Sequence, residues 1–256
     1  MSLTVQDSAR KMCLLLGCLS LSPLFALVRT YQQGVDGYRG CEDTYMIEYR
    51  LHNNYGDAIY IECQSDDGRE GGSEMRPLIR FSDLGLAGLT VRACTLQLYC
   101  YFSVGDSQVI QLHSVLRNWE EFGVTWHLYR MDSAWTDPGC GLNDEDASIE
   151  CVFSIADSLS NGWKTFPIPT SLAQQWVDAP GDTNNGLLIW SPETGTIKDR
   201  SFRSGDMFTP SLRPKLIIHY TSVTRGDIDR IIRKHKERQV TSDEVEQLLR
   251  RYFRGE

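Results

Sequence analysis

Val91-Arg92-Ala93-Cys94-Thr95-Leu96-Gln97-Leu98-Tyr99-Cys100-Tyr101-Phe102 is the stretch that decides the fold. Cys94, Leu96, Leu98, Cys100 and Phe102 alternate there with Thr95, Gln97, Tyr99 and Tyr101. Successive side chains of an extended chain point to opposite faces, so this period of two puts one set in a core and turns the other outward. Similar runs occur at 45–49, 58–63, 78–81, 109–113, 150–155, 186–191 and 216–220. Turn-rich clusters separate them: Asp66-Asp67-Gly68, Gly71-Gly72-Ser73, Asp137-Pro138-Gly139 and Asp182-Thr183-Asn184-Asn185-Gly186. Many short strands punctuated by turns predict an all-β fold, an antiparallel jelly-roll-like β-sandwich over residues 41–221. Only 171–178 reads as a helix in that region.

The flanks read differently. In 222–256, Ile228, Ile231, Ile232 and His235 fall at helical spacing, as do Val245, Leu248, Leu249 and Tyr252. Thr241 with Glu244 makes a capping box for the second helix. The spacing predicts a short C-terminal helical hairpin whose narrow apolar stripes must pack on the sandwich or on a partner, by self-association or against another protein. At the other end, Arg10 and Lys11 precede an apolar run broken by Pro23. That run is shorter than the roughly 20 residues a bilayer span needs, so 1–28 reads as a secretory signal and 29–40 as a linker. The expected location is extracellular or at the cell surface.

Composition narrows the function. The chain has 256 residues, 41% hydrophobic and 23% charged, which suits one sizeable globular core with appendages. A formal charge of −8 repels phosphate backbones, so nucleic acid is not an expected partner. Of the eight cysteines, Cys13 and Cys18 lie in the signal, leaving Cys41, Cys63, Cys94, Cys100, Cys140 and Cys151. Cys94 and Cys100 share one extended run, about 20 Å apart, and cannot pair with each other. Cys140 and Cys151 flank a polar loop and are natural disulfide partners. The rest pair as Cys41 with Cys94 and Cys63 with Cys100, or crossed.

Catalytic signatures are lacking. No Gly-x-Ser-x-Gly elbow, P-loop or His-Glu-x-x-His is present. Glu120 and Glu121 are adjacent, and on a strand they would point to opposite faces. The aromatic supply suits sugar recognition instead, with rings stacking on sugar faces and planar polar groups bonding hydroxyls. Trp119, Trp126 and Trp176 read as core. Trp135, beside the Asp137-Pro138-Gly139 turn, is the preferred exposed platform, with Trp163 a further candidate. Arg200 and Arg203 are candidates for bidentate contact with carboxylated sugars. Asp137, Asn143, Asp144, Glu145 and Asp146 crowd one loop and offer oxygens for a structural Ca2+.

Several segments in order resemble a known family. They are Glu42-Asp43-Thr44-Tyr45, Asn54-Tyr55-Gly56, Arg76-Pro77-Leu78-Ile79-Arg80-Phe81-Ser82-Asp83-Leu84, Val91 to Leu98, Trp119-Glu120-Glu121-Phe122-Gly123-Val124-Thr125-Trp126, Trp135-Thr136-Asp137-Pro138-Gly139, Asn185-Gly186-Leu187-Leu188-Ile189 and Leu212-Arg213-Pro214-Lys215-Leu216. Together they resemble the DNRLRE domain, also classed as carbohydrate-binding module family 96 and related to archaeal disaggregatase repeats. The resemblance implies a jelly-roll-like sandwich with a binding role. It adds Tyr55 as a candidate sugar contact and Asp43 as a candidate calcium ligand. The cysteine content departs from the family. The combined expectation is a secreted, non-catalytic polysaccharide-binding module; the alternative is an extracellular structural or assembly subunit of a filament, surface layer or matrix.

Overall fold

In the computed structural model, the described residues are 27–68, 73–157, 160–179, 184–192 and 195–221, with isolated positions 229, 233, 241 and 247. The expected signal over 1–28 lies outside them except for Leu27 and Val28, which belong to the first strand, and the expected helical hairpin of 222–256 lies outside them apart from isolated positions. Val28–Tyr220 forms one compact unit.

The unit Val28–Tyr220 is all-β and mostly antiparallel. Its strands are β1 (Leu27–Tyr31), β2 (Cys41–Ile47), β3 (Tyr60–Gln64), β4 (Met75–Phe81), β5 (Thr90–Val104), β6 (Gln108–Val115), β7 (Leu128–Arg130), β8 (Ser133–Ala134), β9 (Ala147–Asp157), β10 (Gly162–Ile168), β11 (Leu187–Trp190), β12 (Asp199–Arg203) and β13 (Lys215–Thr221). Among the described residues, helix α1 spans Thr170–Asp178 and a 3-10 turn spans Pro210–Leu212. Eleven strands form one sheet in the order β1-β13-β5-β12-β3-β4-β11-β6-β9, with β10 added on β5 and β2 on β4. β7 and β8 form a small second sheet.

The large sheet curls around a single interior. Leu96 and Leu98 of β5, Ile61 of β3, Ile79 of β4, Ile189 of β11, Leu112 of β6, Phe202 of β12 and Ile218 of β13 share one core cluster. Flat neighbours in such a long path could not all meet; twist and curl bring them together. The curl ends where Phe153 of β9 meets Phe166 of β10 edge-on at 6.3 Å, with Phe166 against Phe202 at 6.4 Å. Gly186 starts β11 at φ +73, where a Cβ would lie 2.1 Å from the Ile79 carbonyl, so only glycine lets β11 close on β4.

A second core lies on the back of the sheet. Met46, Leu78, Leu188, Val115 and Ala147 face Trp119, Val124, Trp126, Trp135 and Cys140 of the long connection between β6 and β9. Alternation explains this: Met46 and Leu78 point away from their interior-facing neighbours Tyr45 and Ile79.

Several expectations are corrected here. The stretch read as linker carries the end of β1, with Tyr31 buried and its hydroxyl donating to the Leu84 carbonyl. All six described cysteines are free thiols, so the expected disulfides are replaced by packing. Cys63 faces Arg200 and Cys100 faces Phe202 on opposite edges of β12. Two strand spacings of about 4.8 Å exceed the roughly 7 Å Cα reach of a disulfide. Cys41 and Cys94 are buried in the interior core. Cys140 is buried in the second core, while Cys151 on β9 donates to the Phe153 carbonyl at 3.1 Å.

Candidate functional site

Two features outside the cores gather chemistry-bearing side chains. The first is an aromatic tract on the sheet. In β5 the residues alternating with the core are Thr95, Gln97, Tyr99 and Tyr101, all half-buried. Trp163 of β10 pairs directly with Tyr99, and their rings meet edge-on at 5.5 Å. Trp163 is 36% exposed, and the Lys215 ammonium of β13 sits 4.0 Å from its ring centroid. Tyr101 faces Tyr60 of β3 at 6.2 Å. The Arg203 guanidinium of β12 lies 3.8 Å from the Tyr101 ring, held there because Arg203 pairs with Tyr60 across the strands. Tyr60 continues to buried Tyr45 at 5.9 Å, which stacks on Tyr55 at 4.6 Å. Beside the rings, Ser201 pairs with Glu62. Burial pushes the Glu62 carboxyl above its usual range, with the Ser201 hydroxyl opposing. Asp199 is pushed up to about 7 by burial and then by the Glu62 charge.

The second feature is an open cleft of about 370 Å³ lined by Glu42, Arg80, Glu120, Glu121, Phe122, Gly123 and Met131. Strands supply Glu42 (β2) and Arg80 (β4), which are directly paired residues. A turn after Trp119 supplies Glu120, Glu121, Phe122 and Gly123, and the β7–β8 turn supplies Met131. Asn54 clamps that turn, its amide donating to the Glu121 carbonyl at 2.8 Å and the Val124 carbonyl at 2.7 Å. Arg80 stacks over Trp119 at 4.8 Å and bonds Glu42 at 2.5 Å and Asn118 at 3.0 Å. Glu121 accepts the Asp43 backbone N–H at 2.9 Å. Asp43 itself is buried on the interior face and accepts the Gly205 N–H at 2.6 Å. Burial first, then the Glu121 and Asp206 charges, push Asp43 up to about 8 against the pull of the Gly205 N–H. Burial likewise pushes Glu121 up to about 7. Such a set can hold or release protons near neutrality and can bond hydroxyls.

The residues expected to bind sugar divide. Trp163, Tyr55 and Arg203 belong to the aromatic tract. Trp135 is corrected: it is buried in the second core, donating its indole N–H to the Thr125 carbonyl at 3.1 Å. Arg200 is corrected too. It is fully buried, with Nε on Asp157 at 3.0 Å and further bonds to the Val104 and Asp106 carbonyls. It fastens the β5–β6 turn to β9 and faces no solvent.

The calcium loop also reads differently. Asp137, Asn143 and Asp146 do come together, but protein donors use their oxygens. Asp146 accepts the N–H groups of Thr136 at 3.1 Å and Asp137 at 2.8 Å, and bonds Arg117 at 3.1 Å. Burial opposes ionisation of Asp146, yet those N–H groups, Arg117 and Asn143 outweigh it and hold the carboxyl below its ordinary range. Asn143 donates to Asp137 at 2.9 Å, and Asp144 accepts the Ile149 N–H at 2.9 Å. Asp43 faces Gly205 and Cys41, away from this loop. Among the described residues no group of three or more His, Cys, Asp or Glu side chains is arranged to hold a metal ion.

Sequence reasoning missed the cleft because it placed Glu120 and Glu121 on a strand. They lie at a turn, and both face the same space. The signal was present: three of the family-like segments, around Glu42, Arg80 and Glu121, converge there. The chain matches no protein-family model and no curated protein; the likeness to the DNRLRE domain rests on the quoted segments alone.

Proposed function

We propose that this chain is a secreted, non-catalytic polysaccharide-binding module with a jelly-roll-like β-sandwich. The single observation that carries this reading is the ring tract from Trp163 through Tyr99, Tyr101 and Tyr60, which crosses β10, β5 and β3 beside two cations. Aromatic rings fixed on a sheet offer apolar faces to sugar C–H groups at little entropic cost, while Arg203, Lys215 and the tyrosine hydroxyls bond the sugar oxygens. The test is a glycan array of neutral and uronic-acid polysaccharides, followed by calorimetry on any hit with Trp163→Ala and Tyr101→Ala. Binding that both variants weaken supports the reading. No binding to any glycan, or release of new reducing ends from a bound one, overturns it.

A second reading, an assembly subunit, is favoured by β9. This 11-residue strand ends the hydrogen-bonded path and carries exposed Ile149 and Ile155. A long edge strand with apolar side chains is a template for pairing with another chain. Size-exclusion chromatography decides: a concentration-dependent oligomer that Ile149→Lys abolishes, in a chain that binds no glycan, establishes assembly.

A further inference from the structure

We infer that the face of β3 and β12 bearing Glu62 and Asp199 is a divalent-cation site, formed by Glu62, Gln64, Asp199 and Ser201 and suited to Ca2+. Nothing in the polysaccharide reading requires it, and it stands or falls separately.

The strand register places these four together. Ser201 pairs directly with Glu62, and Asp199 directly with Gln64. Directly paired residues share a face with Cβ atoms about 5 Å apart, and alternate residues on one strand lie about 7 Å apart on that face. Four oxygen-bearing side chains thus stand at the corners of one small rectangle. Three of them converge further: the Ser201 hydroxyl lies 3.1 Å from Asp199 Oδ2 and 3.4 Å from Glu62 Oε1. Neighbouring oxygens on a calcium ion, each at about 2.4 Å from it, are spaced at roughly 3 Å.

An independent observation points to a missing partner. Asp199 is only 6% exposed, and its Oδ1 is enclosed with no hydrogen-bond donor. A buried carboxyl oxygen without a donor is costly unless something completes it. Among the described residues neither Glu62 nor Asp199 makes an ion pair. The neighbouring Arg200 points to the other face and bonds Asp157, and Arg203 lies over Tyr101. The Gln64 amide donates to the Ser73 carbonyl at 2.5 Å, which leaves its own carbonyl oxygen to accept. Two carboxylates balance a divalent charge, while a hydroxyl and an amide oxygen add neutral ligands. Hard oxygen donors on a twisted sheet suit calcium, which tolerates irregular geometry and completes its shell with water; magnesium demands a near-ideal octahedron.

The test uses the full chain, stripped with chelator and titrated with CaCl2, MgCl2 or Tb3+. About 5 mM Ca2+ is expected to raise Tm by a few degrees, since a ligand bound only to the folded state stabilises it. Tb3+ is expected to emit when tyrosine is excited, because Tyr60 and Tyr101 adjoin the site. Both signals should vanish in Glu62→Gln and in Asp199→Asn, and persist in Asp144→Asn, which alters the 137–146 loop. Glu62 is half-buried, so Glu62→Gln decides alone if Asp199→Asn does not fold. No calcium response in the parent chain overturns the inference. So does a response that survives Glu62→Gln, one lost in Asp144→Asn, or an equal response to Mg2+.

Discussion

The aromatic tract and the acidic cleft are built by opposite means. In the tract, every ring but Tyr55 stands on a strand, and cross-strand pairing sets its position: Trp163 by Tyr99, Arg203 by Tyr60. In the cleft, strands supply only Glu42 and Arg80. The clamped turn and the β7–β8 turn supply the other walls, with Phe122 69% and Met131 73% exposed. The tract is a rigid row of apolar faces with Arg203 and Lys215 over its rings and the Glu62 and Asp199 carboxyls beside them. The cleft is a pocket of carboxyls around one committed arginine. A sheet face fixes shape and so suits an extended ligand; a turn pocket concentrates charge and so suits proton or hydroxyl contacts.

The largest expected effect tests which rings belong to neither region. Trp135→Ala should cost about 3–5 kcal/mol of stability, because it empties part of the second core, while glycan affinity of the protein that still folds stays unchanged. Chemical denaturation reads the first and calorimetry the second. A small stability loss paired with lost glycan binding would return Trp135 to the binding surface.

Next comes pH, which reads the raised carboxyls of both regions, Asp199 beside the tract among them. Asp43 is pushed up to about 8 and Glu121 to about 7 in the folded chain. Both hold protons there that the unfolded chain releases near pH 4. The stability they contribute is complete below about pH 4 and declines as pH rises through the window up to about 8. Tm should therefore be higher at pH 5 than at pH 8, by the equivalent of a few kcal/mol. Asp43→Asn should remove the largest single share of that slope, with Glu121 and Asp199 carrying the rest. A Tm that climbs across this range would show that these carboxyls are ionised in the folded chain.

Trp163→Ala should weaken a bound glycan about tenfold, near 1.4 kcal/mol, with Tm changed little because the ring is partly in solvent. Phe122→Ala, the smallest effect, should change glycan affinity less than about twofold and stability by under about 0.5 kcal/mol. If the two results exchange places, the cleft, and not the tract, is the binding surface.

Much of this contrast was legible in the sequence. Period-two runs located β2–β6, β9, β11 and β13, and α1 stood out by its spacing. The same alternation put Tyr99 and Tyr101 on one face. β12 was not legible, because Asp199-Arg200-Ser201 looks like a solvated loop. Its burial depends on Asp157, which meets Arg200 from 43 residues away. β10 carries Pro167, which reads as a strand breaker but here pairs with Thr95 on β5. Trp135 misled through its neighbours: an Asp-Pro-Gly turn usually marks the surface, and here it caps a tryptophan cluster. Cys94 and Cys100 were rightly read as facing a core, whereas Phe102 of the same run is exposed. The disulfides expected of the six cysteines are absent, because alternation fixes direction and not distance.

Those enclosed thiols give the molecule a built-in clock. Cys41, Cys63, Cys94, Cys100 and Cys140 are buried, and burial pushes each thiol up, so neither access nor thiolate favours attack while the sheet is closed. Only Cys151 among the described cysteines is partly open. An alkylating reagent should mark Cys151 first, then Cys41, Cys63, Cys94 and Cys100 together at the rate with which the curled sheet opens, and Cys140 as the second core opens. The rhythm of the fold's breathing can thus be read by mass spectrometry, in reducing buffer, with no label engineered in.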